Sequence, residues 1–96
     1  MSGFRKSFPT NIKQTTLAGA WTKILDLMDV PREGFLRSDA AFKIDIAFSG
    51  TPAATEITTI SEEPTEFLLP SYKELWARVE DAGLGPGALY GTLWYE

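Results

Sequence analysis

The sequence has no cysteine and no histidine. Without cysteine there is no disulfide, no thiolate metal site and no sulfur nucleophile, so stability must come from packing or from partner subunits. Without histidine the chain lacks the usual general base near neutral pH, the commonest metal ligand and the usual pH switch. Long apolar runs are missing as well. No stretch approaches the roughly 18–20 apolar residues that cross a bilayer as a helix. The basic N-terminus is not followed by the continuous apolar core of a secretory signal. The expectation is a soluble protein of a cytosol-like compartment with no membrane partner. Positive charge is also short, with 9 basic against 13 acidic side chains and a net charge of −4.

That charge is unevenly placed. Residues 1–14 hold Arg5, Lys6 and Lys13 and no acid, while the remaining body carries 6 basic and 13 acidic side chains. An acidic body argues against nucleic acid, because phosphate binding needs a basic face. The small basic arm suits an acidic surface, its own or a neighbour's. At 96 residues the chain makes one domain with one modest core.

Residues 1–11 read as an extended arm, since Pro9 disfavours helix at Phe8 and the segment is polar, with Phe4 and Phe8 its only large apolar groups. Residues 12–96 read as the folded domain. Between 12 and 30, Leu17, Ala20, Trp21, Ile24, Leu25 and Met28 fall at helical spacing. Gly19 interrupts that stripe, and Thr15, Thr16 and Thr22 prefer strands. Pro31 stops whatever precedes it, and Gly34 sits in a predicted turn that feeds a strand up to residue 39. The clearest strand is AFKIDIAFS, residues 41–49. There Phe42, Ile44, Ile46 and Phe48 alternate with Lys43, Asp45 and Ala47, which predicts one face on a core and the other nearer solvent. TEITTI, residues 55–60, is β-branched and predicts another strand, and Thr65–Leu69 a further one after the turn Ser61-Glu62-Glu63-Pro64. The segment 71–85 is ambiguous again. Ser71 with Glu74 has the form of a capping box before a helical stripe of Tyr72, Leu75, Trp76 and Val79. The same residues alternate, with Leu75, Ala77 and Val79 against Trp76 and Arg78. A Gly-Pro-Gly turn then leads into ALYGTLWYE, a terminal strand.

Chemistry-bearing clusters are sparse. Glu62, Glu63 and Glu66 form the densest carboxylate group, but acidic turns are ordinarily solvated. Asp26 and Asp29 lack the ligand spacing of a calcium loop. Ser49-Gly50-Thr51 lacks the lysine and glycines of a phosphate loop. No nucleophile stands beside a base. The expectation is a non-enzymatic protein with no catalytic residue, no cofactor and no metal. The aromatic load is heavy: three Trp, three Tyr and six Phe. Along the last strand Leu89, Gly91, Leu93 and Tyr95 take one face, and Ala88, Tyr90, Thr92 and Trp94 the other. Both are apolar, which is unusual for a strand bordering water. Trp76, Tyr90 and Trp94 are therefore candidate subunit-interface residues.

The order AWTKI, a Pro-Arg-x-Gly turn, FKIDIAFSGTPA, EPTEFLLPSY, LWARV, a Gly-rich turn and LYGTLWYE resembles small β-sandwich accessory proteins of tailed-bacteriophage virions, over about residues 12–96. The resemblance implies an all-β, small antiparallel, jelly-roll-like β-sandwich. It also implies a homotrimer on the capsid surface, assembled in the host bacterial cytoplasm, that binds major capsid protein and stabilises the head. The arm residues Phe4, Arg5, Lys6, Phe8 and Lys13 would then touch the capsid. It turns both ambiguous segments toward strand, in line with seven or eight short strands at 8–12-residue spacing. The alternatives are an α+β fold with two helices on a sheet; a head-fibre base or tail-associated adaptor; a carbohydrate-binding module stacking sugars on Trp76, Trp94 and Tyr95; and an α+β regulatory or inhibitor protein.

Overall fold

The structure, a computed structural model, describes residues 8–81 and 83–95. Eight strands run in chain order: β1 (Phe8–Leu17), β2 (Thr22–Leu25), β3 (Arg32–Ser38), β4 (Ile44–Ala47), β5 (Thr58–Ile60), β6 (Thr65–Leu69), β7 (Leu75–Val79) and β8 (Gly87–Tyr95). They form two four-stranded antiparallel sheets, ordered β1-β8-β3-β6 and β2-β7-β4-β5. First pairs with last, second with seventh, third with sixth, fourth with fifth. Nested pairing of this kind, split over two sheets, is the winding of a jelly roll. Among the described residues there is no α-helix; the helix-on-sheet alternative is not supported.

Why the helical stripe of residues 17–28 does not form a helix is visible in its partners. Leu17 closes β1 and is buried in the core, the chain breaks at residues 18–21, and Ile24 and Leu25 pack on that core from β2. Pairing with β7 and β8 supplies the hydrogen bonds that a helix would make locally, and tertiary context overrides local pattern. Ser71 and Glu74 do not cap a helix either. Tyr72 turns the chain with φ 61° and donates its N–H to the Met28 carbonyl (2.7 Å), and β7 then runs with Leu75, Ala77 and Val79 inward.

The core is one cluster in which Leu36, Ile44, Leu75, Ala77, Leu89 and Leu93 are fully buried, contributed by both sheets. Two further expectations are corrected. The strand expected over 55–60 is confined to Thr58–Ile60, because Ala54–Glu56 make a short 3-10 turn in which Glu56 accepts the Ala53 N–H at 2.7 Å. Asp45 and Ala47, expected near solvent, are buried with the rest of β4. β4 is a central strand, and its outer face is covered by side chains from neighbouring strands. The arm expected over residues 1–11 falls in two parts. Residues 1–7 lie outside the described residues, whereas residues 8–11 are extended as the first part of β1, paired with β8.

Candidate functional site: the outer face of the first sheet

Alternation along each strand gives the roll two outer faces. On the β2-β7-β4-β5 sheet the rings are engaged within the chain. Arg78 lies over the Trp21 ring at 4.4 Å and donates from Nε to Asp45 Oδ2 at 3.2 Å, while Thr59 Oγ1 donates to Asp45 Oδ1 at 2.8 Å. Trp76 donates from Nε1 to Glu74 Oε1 at 3.0 Å, and its ring lies so close to Gly50 that a Cβ there would meet it at 2.9 Å. Lys23 bonds Asp26 at 2.8 Å. That hydrogen bond, with the charge behind it, lowers the Asp26 carboxyl below its ordinary range and raises the Lys23 ammonium. The pair is at the surface; what Asp26 contributes is present above the ordinary carboxylate range and lost as pH falls through its lowered pKa.

Asp45 is only 5% exposed and depends on those two donors. Asp45→Ala removes the acceptor of both. A fully buried pair broken in this way loses about 3–5 kcal/mol. The Arg78 side chain is 30% exposed and keeps Trp21, so water recovers part of the loss. The expected loss is about 2 kcal/mol, read as a lower urea midpoint with an unchanged slope.

The β1-β8-β3-β6 sheet presents the other outer face. Across its outer face run three rows: Pro9, Trp94, Glu33 and Leu68; Asn11, Thr92, Phe35 and Glu66; Lys13, Tyr90 and Arg37. Phe35 is 43% exposed and Leu68 51%. Between Trp94, Phe35 and Tyr90 lies a shallow hollow of about 250 Å³, closed by Pro64, Thr92 and Arg37, with Leu36 and Gly91 behind it. Arg37 sits over the Tyr90 ring at 4.8 Å, and Thr92 Oγ1 donates to Asn11 Oδ1 at 3.1 Å. Glu33 and Glu66 stand in the rows beside the hollow, and Glu62 and Glu63 in the turn that ends at Pro64. Such a face can bind by apolar contact with charged groups at its margin.

Of the expected interface residues, the fold brings Tyr90 and Trp94 together on this face and puts Trp76 on the opposite one. Of the expected arm contacts, Lys13 stands beside Tyr90, and Phe8 stacks on Tyr95 at 5.3 Å at the sheet's end. Phe4, Arg5 and Lys6 lie outside the described residues. The stacking platform of Trp76, Trp94 and Tyr95 is not formed as one surface, since Trp76 is on the other sheet. Sequence reasoning missed Phe35, Leu68 and Pro64, which only strand pairing brings beside Trp94 and Tyr90. Arg32 was also missed: it is 4% exposed, donates from Nη2 to the Asp26 carbonyl at 2.6 Å, and has a buried Nε with no hydrogen-bond partner among the described residues. Burial pushes its pKa down.

Among the described residues no three His, Cys, Asp or Glu side chains are close enough to hold a metal ion. No protein-family model, no curated protein and no solved structure matches the chain.

Proposed function

We propose that the protein is a non-enzymatic structural subunit that works by covering a surface with the outer face of its β1-β8-β3-β6 sheet. Its particular role, on this reading, is capsid decoration in a tailed bacteriophage. Copies associated as a trimer bind major capsid protein and stabilise the head. The observation that carries the reading is the apolar face on which exposed Phe35 and Leu68 stand with half-buried Tyr90 and Trp94. Exposed apolar patches rimmed by polar groups mark contact surfaces, and Trp, Tyr and Arg dominate contact energies. The virion assignment is supported by the sequence resemblance and by the jelly-roll winding, which recurs in viral capsid and lectin domains. Burying about 1,000 Å² of apolar surface per copy would supply on the order of 25 kcal/mol gross, before ordering costs, and many copies act in parallel.

The test is Phe35→Arg. Its side chain is exposed, so the variant should keep the wild-type fold. Expected outcomes are self-association weakened at least tenfold, by sedimentation equilibrium, and loss of retention on purified undecorated capsids. A variant that assembles and coats capsids like the wild type would remove the proposal.

A lectin-like reading is favoured by one observation: Trp94, Phe35 and Tyr90 share a face with Asn11, Thr92 and Glu33, which are hydrogen-bonding side chains suited to sugar hydroxyls. It requires polysaccharide to shift the tryptophan fluorescence of a monomer, and Phe35→Ala to abolish the shift.

A further inference from the structure

We propose that the end of the roll around Arg32 is a binding site for a carboxylate group, which the buried guanidinium of Arg32 holds. The site lies at the strand ends, apart from the outer face of the first sheet, and does not depend on what that face covers.

Arg32 is a buried charge without a counter-ion. It is only 4% exposed, and among the described residues no carboxylate forms an ion pair with it. Its one hydrogen bond there runs from Nη2 to the Asp26 carbonyl oxygen, at 2.6 Å. A guanidinium carries five N–H donors and keeps its proton in proteins. Four donors are therefore left without an acceptor among the described residues, and the one on Nε is sealed from solvent. The Asp26 carboxylate feels the guanidinium, but it is largely exposed and bonded to Lys23 at 2.8 Å. Burying a charge is costly unless it is paired and hydrogen-bonded, and an unpaired buried group in a folded protein points to a missing ion or water. An anion from outside the chain supplies both the charge and the acceptors.

The surroundings set the class of anion. Arg32 stands opposite Leu69 on β6 and, one step past the Glu33–Trp94 pair, beside Tyr95 on β8. Phe8 pairs with Tyr95 and stacks on its ring at 5.3 Å. The row is one positive charge among apolar groups, and one negative charge neutralises it. A phosphate group carries about −1.5 to −2 at neutral pH and would leave surplus charge out of water. Chloride has the right charge, but the planar fork of a guanidinium matches the two oxygens of a carboxylate. Access comes from the strand ends. Arg32 is the first residue of β3, and Phe8, at the start of the edge strand β1, is 54% exposed. Strand ends open locally at small cost, so a small acid reaches the guanidinium without parting the sheets.

The experiment titrates the full chain with sodium acetate, replacing chloride at constant ionic strength, and follows the arginine Nε–Hε resonances by NMR. Arg5, Arg37 and Arg78 are internal controls. The Arg32 resonance alone should shift saturably, with a midpoint of about 1–10 mM, the range open to a ligand this small. Acetate should also raise Tm more in the wild type than in Arg32→Met, a comparison that removes the general stabilisation given by excluded anions. Arg32→Lys keeps the charge without the fork and should bind acetate at least tenfold more weakly. N-acetylalanine and its amide separate the sources of the acid. The amide should not bind. Binding of N-acetylalanine at least threefold tighter than acetate assigns a polypeptide terminus, and comparable midpoints assign a free small acid. The proposal is overturned if the Arg32 resonance shows no saturation below about 100 mM acetate, if acetate raises Tm equally in the wild type and Arg32→Met, or if inorganic phosphate binds more tightly than acetate. The resonance is read in the wild-type chain, so a variant that fails to fold leaves the test intact.

Discussion

Gly34→Ala is expected to remove about 4 kcal/mol of folding stability, more than most single methyl additions. Overpacking a core ordinarily costs about 1–3 kcal/mol, because side chains shift to make room. Gly34 allows no such shift. A Cβ there would overlap the backbone carbonyl oxygen of Thr92 on β8, and Thr92 belongs to the same ladder. The strands would have to separate, and hydrogen bonds on both sides of the contact would go with them. Gly91 is the mirror case, its missing Cβ aimed at the Phe35 carbonyl oxygen. The two glycines bracket the Phe35–Thr92 pair on which the hollow is centred, so the close approach of β3 and β8 also sets its floor. Gly87→Ala makes the control. Its nearest atoms are Val79 Cγ2 at 2.8 Å and Ile44 Cδ1 at 3.0 Å, both ends of movable side chains, and the expected cost is about 1–2 kcal/mol. For a domain of about 100 residues, 4 kcal/mol is a large share of the usual 5–15 kcal/mol and lowers Tm by roughly 16–30 °C. Calorimetry of the two alanine variants checks the ranking. Equal Tm values for Gly34→Ala and Gly87→Ala would show that β3 and β8 are not held so close.

The same two strands show what could be read from residues alone. The alternation of ALYGTLWYE assigned the faces of β8 correctly, because alternation is a local property of extended backbone. It also flagged Tyr90 and Trp94, since a strand apolar on both faces needs two coverings. It could not find Phe35, Leu68 or Pro64, which come to the same surface only through pairing across 30 or more residues of chain. Asp45 failed for the same reason. A carboxylate in an alternating strand reads as solvated until Arg78 and Thr59 are known to lie beside it. The stripe from Leu17 to Met28 misled in the other direction: Leu17, Ile24 and Leu25 do face a core, but from two strands joined by a break, while Ala20 is exposed and Trp21 lies against Arg78. Trp76 shows the limit of composition as a guide to interfaces. Expected at an interface from its residue type alone, it stands on the other sheet, where it donates to Glu74 and packs against Gly50.

Leu36→Ala should be the second severe substitution, at about 3–5 kcal/mol. Leu36 is fully buried in the central cluster and backs the hollow from within. Removing its branched end gives up transfer energy and leaves a void that the surrounding sheets can only partly close. An apparent repair is available on paper: a Cβ on Gly91 would lie 2.7 Å from Leu36 Cδ2, so truncating Leu36 clears that contact. The repair should fail. The nearer obstacle to a Gly91 Cβ is the Phe35 carbonyl oxygen, which Leu36→Ala leaves in place. The double variant Leu36→Ala/Gly91→Ala is therefore expected to be less stable than either single one, with a coupling energy under about 1 kcal/mol, small for residues in contact. Urea unfolding of the four members of the cycle measures it. A double variant more stable than Gly91→Ala alone would mean that the methyl is accommodated by the space Leu36 vacates, and that side-chain crowding, not strand approach, is what the glycine relieves.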